Sequence, residues 1–119
     1  MGTQLGRASR YAAAIVAAAA LGCGNAVAVE FADIAGKWCT AGGSEEFDRG
    51  NLVAIPASTR ERLVYPIVSY DFAAAKVTVI WKNPKGENVH TDFAEFSSDG
   101  RRMVQLPFEG GPRREFRRC

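Results

Sequence analysis

Histidine is nearly missing from this chain, cysteine is scarce, and no apolar run is long enough to cross a bilayer as a helix. The 119 residues include 1 His and 3 Cys. A lone imidazole, His90, excludes a multi-histidine metal centre, and Cys39, Cys119 and His90 do not stand at a zinc-finger spacing. Neither G-x-x-x-x-G-K-[ST] nor a strand-linked G-x-G-x-x-G occurs, which removes the phosphate-cradling loops; "AGG" at 41–43 and "EGG" at 109–111 read as turns. Also lacking are an amphipathic helix of useful length, an internal repeat and a low-complexity linker. "FADIAG" at 31–36 supplies one helical turn at most.

What is present starts with an address. Arg7 and Arg10 precede an apolar run from Tyr11 to Gly22, and Ala26, Val27 and Ala28 end the stretch in a small-x-small pattern. That order is the one of a secretory signal peptide. The run covers about 12 residues against the roughly 20 that a helical span requires, so no transmembrane span is expected. Cleavage after Ala28 would leave a single small β domain, 29–119, in the periplasm or outside the cell. An alternative is "ALGC" at 20–23, which resembles a lipobox and would anchor the protein through a lipid on Cys23. Removing residues 1–28 takes away Arg7 and Arg10 and no carboxylate, so 15 basic against 13 acidic residues become 13 against 13. A neutral domain gives no electrostatic reason to expect a nucleic-acid partner.

Cleavage or lipidation disposes of Cys23 and leaves two thiols, Cys39 and Cys119. In an oxidising compartment such a pair is expected to bridge. Closing a loop of about 80 residues stabilises a fold by roughly 4–5 kcal/mol in the chain-entropy account.

Between the cysteines the pattern has period two. "KVTVIW" at 76–81 places Val77, Val79 and Trp81 on one face, "NPKG" at 83–86 turns, and "ENVHTDFAEF" resumes with Val89, Thr91 and Phe93 together. Phe96 falls out of step, so a bulge or strand end is expected near Ala94. "SSDG" at 97–100 turns again, and "RRMVQLPF" assigns Val104, Leu106 and Phe108 to one side. "EEFD" and "NLVAI" form another hairpin around "RG". "RLVYPIVSYDF" is a strand in which Pro66, lacking a donor, belongs at an edge, bulge or break. The fold class is therefore mainly β: a small antiparallel meander of six to eight strands, closing into a barrel or a curled sheet, with one disulfide.

"FADIAGKWC" resembles the opening of lipocalins and other calycins, where a helical turn leads into Gly-x-Trp on the first strand. The resemblance implies that Trp38, after Gly36, packs under the closed end of a barrel against an arginine of the last strand. If Cys39 and Cys119 share one face of adjacent strands, then Trp38, Phe116 and Arg118 fall on the other, and Arg118 is expected to stack on Trp38. The chain is about half a lipocalin's length, so a shortened barrel filled by its own side chains is expected, without a lipid cavity.

Little points to catalysis. "NVHTD" sets His90 opposite Val89 with Asp92 on its own face, and no nucleophile converges on it. In the cluster Glu45, Glu46 and Asp48, Glu46 and Asp48 share one face while Glu45 lies with Phe47. Arginines gather late in the chain, with Arg113 and Arg114 as the candidate binding patch for an acidic protein or for lipid headgroups; cross-strand pairing of these arginines with Glu45, Glu46 and Glu115 is the alternative. The expectation is a non-enzymatic exported module that binds or inhibits an envelope or extracellular partner, without a cofactor. The alternatives are a small hydrolytic or metal-dependent enzyme using Glu45, Glu46 and Asp48 with His90, and a purely structural envelope protein.

Overall fold

The computed structural model describes residues 28–107 and 111–119. The expected signal sequence up to Val27, including the alternative anchor Cys23, lies outside the described residues, as does Phe108. One helical turn, α1 (Phe31–Ile34), precedes eight strands: β1 (Gly36–Thr40), β2 (Gly43–Phe47), β3 (Asn51–Pro56), β4 (Leu63–Phe72), β5 (Lys76–Lys82), β6 (Asn88–Ala94), β7 (Arg102–Gln105) and β8 (Arg114–Arg118). Each strand pairs antiparallel with its chain neighbour, and β8 returns to β1 through Trp38↔Arg118, so the meander closes into a barrel. Closure leaves no strand at a sheet edge, although β6 meets β7 only through Phe93↔Gln105 and Ala94↔Val104.

Local chemistry sets the strand ends. Asp48 Oδ1 accepts from the backbone N–H of Gly50 (2.8 Å) and Asn51 (2.6 Å), which fixes the β2–β3 turn. Asn83 Oδ1 does the same for Lys85 and Glu87, each at 2.9 Å. Pro66 stands opposite Asn51, the first residue of β3, and the β4–β5 register slips between Ile67 and Ser69. The proline thus sits at the end of one ladder and beside the irregularity of the next, where no donor is lost. β6 stops at Ala94, and Glu95 follows with φ 56°.

The expected inward faces of β5 and β6 hold: Val77, Val79 and Phe93 are buried. β7 differs from expectation. It ends at Gln105, and its inward residue is Met103, which belongs to the core cluster with Phe116, rather than Val104. Both phases of β7 carry an apolar residue, so alternation alone does not choose between them. Val104 is covered from outside, where Arg102, Arg113 and Arg117 border the same groove and their aliphatic stems can shield it. The centre of the barrel is aromatic: Phe93 meets Phe47 edge-on at 5.3 Å and Phe116 at 5.9 Å.

One end of the barrel is sealed. Trp38 is fully buried and its indole Nε1 donates to Ile34 O at 2.8 Å. The Arg118 guanidinium lies 3.9 Å from the Trp38 ring and donates to the carbonyls of Ala35, Asp33 and Gly100. A partly desolvated stack of this kind is worth about 1–2 kcal/mol. Gly36 permits it twice over: its φ is +98°, and a Cβ would stand 3.0 Å from an Arg118 guanidinium nitrogen. On the outer side of the same pair of strands, Cys39 and Cys119 form the disulfide.

Candidate functional site

In an antiparallel meander the connections alternate between the two ends. Those between β1 and β2, β3 and β4, β5 and β6, and β7 and β8 therefore all lie at the end opposite α1. The described residues do not fill that end. A cup of about 200 Å³ opens there, contrary to the expectation of a barrel packed solid by its own side chains. The cause is the choice of inward residues. An eight-stranded barrel has a fixed girth, and here Glu45, Thr91, Gln105 and Arg114 occupy positions that large apolar side chains would need to fill.

The floor and walls are apolar: Phe47 from β2, Leu52 from β3, Val79 and Trp81 from β5, and Phe93 from β6. Trp81 is held in place by its Nε1, which donates to Thr91 Oγ1 at 3.0 Å, and by the Tyr65 ring at 5.0 Å. Because Thr91 Oγ1 accepts that bond, its own proton is left to donate elsewhere.

The rim carries opposite charges. Burial pushes the Glu45 carboxyl above the usual carboxylate range, and the Arg114 guanidinium pulls it part of the way back. The two do not form an ion pair; among the described residues the ion pairs are Lys76–Asp92 at 3.7 Å and Arg113–Glu95 at 2.6 Å. Nor, among the described residues, does a side-chain hydrogen bond reach Glu45, Gln105 or Arg114; the one at the cup is the bond from Trp81 to Thr91.

The other candidates lie elsewhere. Arg113 and Arg114, neighbours in sequence, do not form one patch. Arg114 is the first inward residue of β8, whereas Arg113 turns out to a broad outer groove and holds Glu95 through two bonds of 2.6 and 2.7 Å. The acidic cluster is likewise split. Glu45 enters the cup, Glu46 is exposed on the outer wall, and Asp48 is occupied as a turn cap. His90 is exposed and pairs across the ladder with Ile80, while its neighbour Asp92 accepts from Thr78 Oγ1 and faces Lys76. The Glu45, Glu46, Asp48 and His90 constellation is therefore not assembled in one place. No three His, Cys, Asp or Glu side chains gather to hold a metal among the described residues.

Trp81, Thr91 and Gln105 were not singled out by sequence as site residues. Alternation did assign Trp81 and Thr91 to inward faces, which is the signal that could have found them. No protein-family model matches the chain, and neither a curated protein nor a solved structure matches it.

Proposed function

We propose that the protein is a non-enzymatic, exported binding module on a shortened calycin-like barrel, with the open-end cup as its binding site. The observation that carries this reading is the 200 Å³ hollow with an apolar floor and a polar rim on which Glu45, Gln105 and Arg114 make no side-chain hydrogen bond among the described residues. Pockets that take small ligands combine those two features, apolar walls for affinity and a few placed polar groups for orientation. Filling the hollow with Leu or Phe would have stabilised the barrel, since a buried side chain of that size contributes roughly 1.5–3 kcal/mol. Export is supported by the order of residues 1–28 and by the Cys39–Cys119 bridge, which suits an oxidising compartment. The outer arginine groove is the weaker candidate because Arg113 is already neutralised by Glu95.

A neutral single-ring probe tests the cup. An apolar cavity of about 150 Å³ is known to accept benzene, so toluene should saturate the purified protein and shift the NMR signals of Trp81 and Phe93 while leaving Trp38 unmoved. Absence of any shift at Trp81 and Phe93, with toluene and with its ammonium-, carboxylate- and zwitterion-bearing one-ring analogues alike, would refute the cup as a binding site. Export is tested separately by the intact mass of protein from the native exported fraction, before and after reduction; residues 1–28 retained in that material would contradict it.

A further inference from the structure

The cup holds two opposite charges that do not meet. Glu45 stands on β2 and Arg114 on β8, with β1 between them, and both side chains line the same hollow. We infer that the occupant is a zwitterion, a free α-amino acid with a one-ring or branched apolar side chain, its ammonium at Glu45 and its carboxylate at Arg114. The inference rests on the reading of the cup as a binding site and names what it would hold.

Charge balance separates the classes of ligand. A neutral apolar molecule would strip water from Glu45 and Arg114 and return nothing to either. An anion would satisfy Arg114 while bringing a second negative charge toward Glu45, and a cation would do the reverse beside Arg114. An ammonium and a carboxylate on one carbon answer both at once. The Thr91 hydroxyl, whose oxygen already accepts from Trp81, has a proton left for a carboxylate, and the Gln105 amide can serve either group. Size sets the side chain: about 200 Å³ over Trp81 and Phe93 suits one ring or a branched aliphatic group and is too small for a fatty acyl chain. A raised Glu45 pKa agrees with a carboxylate whose burial outweighs the pull of Arg114, with which it forms no ion pair among the described residues.

Calorimetry with four probes of the same body tests this: L-phenylalanine, 2-phenylethylamine, 3-phenylpropionate and toluene. L-Phenylalanine should bind at least tenfold tighter than each of the others. Glu45→Gln should weaken L-phenylalanine at least tenfold and leave 3-phenylpropionate no weaker; Arg114→Gln should weaken L-phenylalanine similarly and spare 2-phenylethylamine. Toluene binding by both variants establishes that each still has its cup. If toluene binds and the four probes do not differ, the zwitterion assignment is overturned while the cup stands. If 3-phenylpropionate or 2-phenylethylamine binds as tightly as L-phenylalanine, the assignment is likewise overturned in favour of a singly charged ligand. If no probe binds, toluene included, the cup itself is refuted.

Discussion

At the α1 end of the barrel the polar atoms of Trp38 and Arg118 all reach backbone carbonyls, whereas at the opposite end Glu45, Gln105 and Arg114 reach no described partner. The two ends are made by the same eight strands, so strand geometry cannot be the cause. The difference lies in which side chains point inward. One end stacks a cation on an indole, ties it to α1 and is flanked by a disulfide. The other leaves a hollow between an aromatic floor and a charged rim. Among the described residues the hydrogen bonds close at the sealed end, and the groups left without one stand around the hollow proposed as the binding site.

Truncating the two tryptophans gives the largest contrast. Trp38→Ala should cost about 3–5 kcal/mol, as expected for a fully buried aromatic whose cavity cannot collapse. Trp81→Ala should cost clearly less, about 1–2 kcal/mol, because Trp81 already borders an empty space. Equal losses in urea denaturation would break the comparison. Gly36→Ala should cost roughly 1–3 kcal/mol through its positive φ and the crowding of Arg118, while Gly42→Ala, with open space at its Cβ, should be close to neutral.

Acidity sharpens the contrast further. The carboxyl of Glu45 is raised in the folded state, so between its unfolded and folded pKa values the native protein binds more protons than the unfolded chain. Stability from this group is therefore present at low pH and is lost as pH rises from the ordinary carboxylate value through the raised one. Thermal midpoints of native protein and Glu45→Gln, followed from pH 4 upward, should diverge in that window, with the variant falling less. Parallel curves would remove the claim that burial raises the Glu45 carboxyl. The smallest effect is expected on the outer wall. Arg113→Ala breaks a fully exposed pair with Glu95 and should leave the denaturation midpoint unmoved, as is usual for surface ion pairs.

Much of the sealed end was legible in the sequence, because it is encoded by short-range signals. "FADIAGKWC" gives the turn, the glycine and the indole in order, and cysteine parity gives the bridge. Alternation then places Trp38 and Arg118 on one face. The open end was legible only in part. Parity put Glu45 with Phe47 and Trp81 with Val79, but it counts faces and not volumes, so it could not show that these inward residues fail to fill the barrel. Two further points escaped for related reasons. Met103 and Val104 are both apolar, so their phase had to be set by pairing with β8, where Met103 faces Phe116. Arg113 and Arg114 read as one basic patch, but strand alternation sends adjacent side chains to opposite faces.

The most direct test is the urea midpoint of the Glu45→Gln, Arg114→Gln double variant at pH 7. If the charged rim serves a ligand and not the fold, neutralising it should leave the midpoint equal to or above that of the native protein, with an unchanged m-value. A midpoint lowered by the equivalent, through the m-value, of about 1 kcal/mol or more, a roughly fivefold shift in the folding equilibrium, would mean that the rim holds the barrel together and would contradict the division of labour between its ends.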